Sequence, residues 1–195
     1  PQNDAEDHQV YWVDLSDITS SIENIQIQRG IGTALYGTSG IGGVINLQTI
    51  NYFDKKFINF SAGYGDYNSK RYSMEYSSGL TESGFGFYGK LSKTQSDGYR
   101  ELSWSDHWSF FLSAGKTIGS STVLKFNAYG SPIKNHLAYL GVTKDYLDGK
   151  ITGDARKDRR YNFLNFDNET DNYFQPHYEL VFNTQPSKNV TISNT

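Results

Sequence analysis

From Phe57 onward the chain repeats a two-residue alternation of apolar and polar side chains over long segments. Successive side chains of a strand point to opposite faces, so this period predicts strands with one apolar and one polar side. Ile58, Phe60, Ala62 and Tyr64 fall on one face, against Asn59, Ser61 and Gly63 on the other. Tyr72, Met74 and Tyr76 oppose Arg71, Ser73, Glu75 and Ser77, and Phe85, Phe87, Gly89 and Leu91 oppose Gly86, Tyr88, Lys90 and Ser92. The scheme continues with Trp108, Phe110, Leu112 and Ala114 against Ser109, Phe111 and Ser113, then with Leu124, Phe126 and Ala128 against Lys125, Asn127 and Tyr129. Phe174, Tyr178, Leu180 and Phe182 oppose Gln175, His177, Glu179 and Asn183, and a last run from about Lys188 carries Val190 and Ile192.

Alternation alone also fits a soluble antiparallel sheet with one wet face. Two further features point to a membrane barrel. The segments are about ten to thirteen residues long, above the usual globular length and sufficient to cross a bilayer at a tilt. The connections also alternate in length: short turns at Leu80 to Ser83, Gly119 to Ser121 and Gln185 to Ser187 against longer loops at Gln95 to Ser105 and Ser131 to Asp171. Outer-membrane barrels have short periplasmic turns and long extracellular loops. The turn at Asp66 to Asn68 departs from this, being short on the long-loop side. Tyr64, Tyr72, Trp104, Trp108 and Tyr173 stand near strand ends, where interfacial girdles form.

Composition narrows the alternatives. With 18 Lys+Arg against 21 Asp+Glu the formal net charge is -3, which excludes a strongly basic nucleic-acid binder. Aromatics make up 15% of the chain, too many for a disordered one. The absence of cysteine removes disulfides, thiolate metal sites and cysteine nucleophiles. The longest apolar run, residues 10–13, is far short of a spanning helix, and the N-terminal residues carry no signal-peptide pattern.

The first fifty residues have another character. Ile22, Ile25 and Ile27 lead into a glycine cluster and then into Val44, Ile45, Asn46 and Leu47, which predicts a compact strand, turn and strand. A glycine-rich run after a strand suggests a phosphate loop, but Gly30-x-Gly32 is followed by Leu35 and Gly40-x-Gly42 by Ile45, and no Gly-Lys-Ser/Thr exists. Instead Arg29-Gly30, Leu35-Tyr36-Gly37 and Ile41-Gly42-Gly43-Val44-Ile45-Asn46, ending at Thr49, resemble the closing signature of the plug domain of TonB-dependent outer-membrane receptors. The run His8 to Leu15, the triplet Gly98-Tyr99-Arg100, Tyr161 and the run Asp167 to Tyr173 are similar to the branch that includes ferric-citrate-type receptors. Where that branch often carries Asn-Gly-Ala-Gly-Ala-Phe-Gly, this chain reads Tyr36-Gly37-Thr38-Ser39-Gly40-Ile41-Gly42, so substrate identity does not carry over.

The resemblance implies an all-β fold: a partial transmembrane antiparallel β-barrel of about seven strands out of about 22, preceded by the C-terminal part of a mixed α/β plug. It divides the chain into residues 1–50, the plug part, and 51–195, the N-terminal part of the barrel, with a long extracellular loop at about 131–171. On this reading the chain is a fragment whose signal peptide and TonB-contacting box lie elsewhere. The implied function is active uptake of a ferric chelate, siderophore or ferric citrate, across the bacterial outer membrane, with no enzymatic step and no cofactor. Its partners are TonB with its inner-membrane energising complex, the chelate, and outer-membrane lipid and lipopolysaccharide; nucleic acid is not among them. Haem, vitamin B12 or an oligosaccharide are alternative cargoes, and a surface β-sheet glycan-binding module is an alternative of another class.

Two groups of residues follow from the resemblance. The plug signature and lock comprise Arg29, Gly30, Gly37, Gly42, Gly43 and Asn46; Arg29 would need a carboxylate inside a barrel, and Glu75 and Glu179 lie on the polar faces of their strands. Lys144, Tyr146, Arg156, Arg159 and Arg160, with Lys157, concentrate basic and aromatic groups in the third loop, where guanidinium forks suit carboxylate or catecholate chelates; a solvated loop, or one that binds lipopolysaccharide phosphates, reads the same way. The four histidines show no metal-ligand spacing, Asp167, Glu169 and Asp171 give an incomplete calcium set, and no catalytic arrangement stands out.

Overall fold

The computed structural model of the chain describes residues 9–30, 42–51 and 53–194. Two short 3-10 turns, Trp12–Leu15 and Ile18–Ser21, lead into β1 (Ile22–Arg29), which pairs antiparallel with β2 (Gly43–Thr49). Their register sets Arg29 opposite Gly43, whose φ is 147° and whose added Cβ would lie 2.5 Å from the Gln28 carbonyl oxygen. The hairpin therefore closes only with glycine at this position.

The remainder is one meandering sheet. β3 (Lys56–Gly65), β4 (Ser69–Ser78), β5 (Phe85–Ser96), β6 (Ser105–Ile118) and β7 (Thr122–Gly130) follow one another antiparallel. β8 (Ile133–His136) and β9 (Thr170–Tyr173) pair with each other, and β10 (His177–Ser187) and β11 (Val190–Asn194) complete the order β11-β10-β7-β6-β5-β4-β3. β6 is 14 residues long; its Ile118 end pairs with β7 and its Ser105 end with β8. β8 thus prolongs β7 beyond a break at Ser131 and Pro132, and β9 precedes β10 across a break at residues 174–176 that contains Pro176. A proline has no N–H for the ladder; the register on either side sets Pro132 across from Phe174 and Pro176 across from Gly130, so two adjacent strands are interrupted at one level.

Strand pairing accordingly runs further into the 131–171 span than the sequence pattern predicts: the stretch outside the wall is 137–169, and it holds two short helices, α1 (Lys144–Leu147) and α2 (Ala155–Asp158). Phe174 lies in the break rather than on the β10 face; its ring packs 6.2 Å from that of Phe110. The last turn also shifts, from the predicted Gln185 to Ser187 to residues 188–189. Pro186 sits inside β10, where the register with β11 slips between Thr184 and Ser187.

The two faces of the sheet are inverted relative to a water-soluble protein. Phe60 is 70% exposed, Tyr178 69% and Leu180 60%, whereas Ser77, Ser113, Lys90 and Asn127 on the opposite face are buried. Apolar side chains in a solvent-facing row and serines in the interior is the arrangement of a barrel wall whose outer side meets hydrocarbon. The strand lengths of β3 to β6, 10 to 14 residues, match the span a tilted membrane strand needs. The tight turn between β3 and β4 is built from Tyr67 and Asn68, both at positive φ, with Ser69 N–H donating to Asp66 O at 3.1 Å. That local chemistry accounts for a short connection on the long-loop side.

Leu112 lies on the outer face midway along β6. Leu112→Arg in the intact protein is expected to cost about 2–4 kcal/mol of stability in a bilayer, measured by urea unfolding in vesicles. Leu112→Phe is expected to leave the midpoint within experimental error.

Candidate functional site

The inner face of the sheet carries a built surface. An aromatic row crosses six strands, with rings from five of them and none from β4: Phe57 to Tyr88 at 6.3 Å between ring centroids, Tyr88 to Phe111 at 6.0 Å, Phe111 to Tyr129 stacked at 5.4 Å, and Tyr129 to His177 stacked at 4.9 Å. Each pair lies in the range in which rings attract beyond their buried area. Ile18, Ile50 and Phe53 pack onto this row. The segment of 3-10 turns therefore rests on the inner face with an apolar seat.

Two adjacent residues fasten that segment. Asp17, in the left-handed conformation at φ 59°, receives Arg71 Nη2 from β4 at 2.7 Å on Oδ1 and has Lys90 Nζ from β5 at 2.9 Å from Oδ2. Lys90 Nζ also donates to the Asp17 carbonyl oxygen at 3.0 Å. Burial by itself would raise the Asp17 pKa, but hydrogen bonds from Ser92, Lys90 and Arg71 outweigh it and hold the carboxyl at about 2. Ser16, next to it, is held by the opposite flank: Ser131 Oγ donates to Ser16 O at 3.0 Å, and Ser16 Oγ lies 2.6 Å from His107 Nδ1. Ser21 Oγ is 3.4 Å from Tyr88 OH, and Ile50 N–H donates to Ser21 O at 3.1 Å, tying the end of the hairpin to the same place.

The predicted lock is placed differently. Arg29 is exposed at the end of β1. Glu75 accepts hydrogen bonds from Asn59 Nδ2 and Tyr88 OH, each at 2.9 Å. Glu179 accepts from Asn127 Nδ2 and Tyr129 OH, also at 2.9 Å. Both carboxylates thus brace the aromatic row, and Asp17 carries ion pairs between the inner segment and the wall. Gly30 takes φ 81° at the end of β1, its N–H donating to Gly42 O at 3.1 Å; Asn46 lies in β2 opposite Gln26. Gly37, His8 and the middle of the glycine run lie outside the described residues.

The third loop is a folded unit. Asp158, buried at the end of α2, accepts Thr152 Oγ1 at 2.6 Å, Ile151 N–H at 3.0 Å and Thr152 N–H at 3.2 Å. The Thr152 hydroxyl is the main reason its pKa lies below the usual carboxylate range. Asp154 caps α2 through Arg156 N–H at 2.8 Å. Tyr146 stacks on Tyr161 at 4.9 Å and meets Phe163 edge-on at 5.4 Å. Arg159 Nε donates to Leu147 O and Arg160 Nε to Tyr99 O. Lys144 pairs with Asp148, and Arg156 stays exposed. Arg100 Nη1 donates to Leu140 O at 2.5 Å and Glu101 N–H to Arg160 O at 2.7 Å, so the 97–104 loop is tied to the larger one. Of the predicted ligand residues, Tyr146, Arg159 and Arg160 have structural duties, while Lys144 and Arg156 face solvent. Among the described residues no cluster of three or more His, Asp or Glu is arranged to hold a metal ion.

A sheet of long antiparallel strands, apolar outside and carrying a fastened segment inside, defines a stretch of transmembrane β-barrel wall. No protein-family model matches the chain. Its sequence is similar to the vitamin B12 transporter BtuB of Photobacterium profundum, at 27% identity over 175 residues, covering 74% of this chain and 28% of that protein. Its fold is similar to the ferric-catecholate import receptor Fiu of E. coli K12. The open form matches with a TM-score of 0.71 and 17% identity over 90% of this chain and 28% of the receptor. The closed form gives 0.73 and 19% over 90% and 26%. The chain spans between 26% and 28% of the length of these relatives. The chain is thus similar in sequence to part of a transporter and in fold to part of an import receptor.

The sequence pattern misses Ser16, Asp17, His107 and the aromatic row. Lys90 carried a signal, a lysine in mid-strand between Tyr88 and Ser92 on the polar face; Asp17 carried none, because its partners lie 54 and 73 positions away. Asp17→Asn leaves Lys90 buried without its carboxylate and is expected to destabilise the seated segment by about 3–5 kcal/mol, read as a lowered denaturant midpoint of the intact protein in vesicles. The Asp17 pKa is depressed on folding, so its contribution is complete above the ordinary carboxyl value of 3.8 and is lost as pH falls through about 2. The Asp17→Asn variant should therefore show a flatter stability curve than the parent as pH falls from 3.8 to about 2.

Proposed function

We propose that the chain is part of a receptor that takes up a ferric chelate of the siderophore or ferric-citrate type across the bacterial outer membrane, driven by TonB and its inner-membrane complex. The observation that carries this reading is the inverted sheet with an ion-paired segment seated on its inner face. An empty pore has no use for such a segment, and a glycan-binding module in water has no use for an apolar outer face. Residues 1–50 act as the C-terminal part of the plug and 51–195 as the first part of the wall, lipid and lipopolysaccharide lying against its outer face. The folded 137–169 loop offers Lys144 and Arg156 to an anionic chelate at its outer surface. No covalent chemistry is required: work done on the plug breaks a small number of strong contacts, and the path opens beside the wall.

A second cargo has a specific observation behind it. The curated relative at 27% identity is named as a vitamin B12 transporter, so a corrinoid is the alternative to iron.

The deciding experiment supplies radiolabelled ferric catecholate, ferric citrate and cyanocobalamin to cells with and without the full-length gene. Gene-dependent, TonB-dependent accumulation of one of the iron complexes is expected, falling about tenfold in Lys144→Ala/Arg156→Ala at unchanged receptor level. Accumulation of cyanocobalamin alone would move the assignment to the corrinoid, and no gene-dependent uptake of any of the three would defeat the iron reading.

A further inference from the structure

We propose that His107 is the joint through which the long extracellular loop controls the seating of the inner segment. The inference deepens the transport reading and rests on its assignment of residues 12–21 to the plug. His107 stands on the inner face of β6, at the end where that strand leaves β7 and pairs with β8. Its two ring nitrogens point in opposite directions: Nδ1 is 2.6 Å from Ser16 Oγ on the inner segment, and Nε2 is 2.5 Å from Asn135 Oδ1 on β8. β8 is the first stem strand of the loop; Asn135 is paired with Asp171 of β9, and His136 beside it reaches Phe166 O at 2.8 Å, deep in the loop. One imidazole therefore spans the interval from the loop stem to the segment.

The hydrogen count gives the joint two settings. With the Asn135 oxygen as acceptor, Nε2 carries the proton and a neutral ring leaves Nδ1 as an acceptor. The single hydroxyl proton of Ser16 is then claimed by two acceptors, His107 Nδ1 at 2.6 Å and Val13 O at 3.1 Å. While the stem holds the ring in place, the hydroxyl goes to Nδ1. When Asn135 withdraws and the ring turns, it goes to Val13 O and Ser16 is held only by Ser131. Ser16 adjoins Asp17, whose left-handed backbone at φ 59° is kept by the Arg71 and Lys90 contacts. A loosened Ser16 removes one of the two constraints on that conformation, so displacement of the loop reaches the ion pairs one residue away. The joint works by position; His107 touches no transported ligand.

The test is hydrogen exchange of the 12–21 amides, followed by mass spectrometry, in the full-length receptor in vesicles, with no substrate added. Asn135→Ala, a change in the loop stem, is expected to speed their exchange about fivefold, the worth of one hydrogen bond, and Ser16→Ala to do the same. In a His107→Leu background, Asn135→Ala should add nothing to the 12–21 rate, while the amides of β5 and β10 keep parental protection in every variant. His107→Gln, whose amide reaches only one partner at a time, should retain part of the coupling and serves where His107→Leu fails to assemble. Unchanged 12–21 exchange in Asn135→Ala, or an equal increment with and without His107, overturns the proposal. Because no cargo is involved, that failure leaves the uptake reading standing, and a negative uptake result leaves the exchange result interpretable.

Discussion

A strand in hydrocarbon must find partners for all its backbone N–H and C=O groups among its neighbours, because there is no water to accept them. Everything else in this chain is arranged around that requirement. The ladders of β3 through β7 and β10 run in register over almost their whole length, and the irregularities fall at the ends: the Pro186 slip at one, the adjacent Pro132 and Pro176 breaks at the other. With the backbone satisfied in the plane of the sheet, the side chains are free to divide by solvent. The apolar set goes outward and the serines, asparagines and charges go inward.

The inward set is more than a wetted lining. Glu75 and Glu179 each accept a tyrosine hydroxyl, Tyr88 and Tyr129, whose rings belong to the row that seats Ile18, Ile50 and Phe53. Carboxylates that orient rings, and rings that support an apolar patch, make the inner face a preorganised dock. Asp17 is then fixed on this dock by its two cationic partners, with Ser16 held beside it by Ser131 and His107. A buried ion pair of this kind contributes little beyond what apolar packing would, yet is costly to break by removing one member. Such a contact suits a segment that must sit in one register until work is done on it.

How much of this the sequence displays follows from the range of each interaction. The wall was legible because its period is local: Phe60, Met74, Leu91, Leu112, Phe126 and Leu180 announce their face from their immediate neighbours, and every one of them is on the outer side. The β1 and β2 hairpin was legible for the same reason. Arg29 is the one charge in a neutral stretch, a local signal, and lies exposed at the end of β1, while the ion pairs that fasten the segment join Asp17 to residues on two later strands. The aromatic row was hidden by composition: Tyr88, Phe111 and Tyr129 stand among polar residues and count there as exceptions to the alternation, although together they form the seat.

The loop shows how structure narrows a candidate list. Five of the cations between residues 144 and 160, Lys144, Arg156, Lys157, Arg159 and Arg160, are equivalent candidates in the sequence. Arg160 bridges to Tyr99 and Arg159 closes onto Leu147, so their guanidinium groups hold the loop in shape before any anion arrives. Asp158 reinforces that shape from beneath, receiving two backbone N–H groups and a hydroxyl. A loop prefolded in this way presents its remaining cations at fixed positions and loses little conformational freedom on binding. It also behaves as a rigid lever on its stem, where Asn135 meets His107. The same bonds that shape the outer surface are therefore those that would carry a displacement inward.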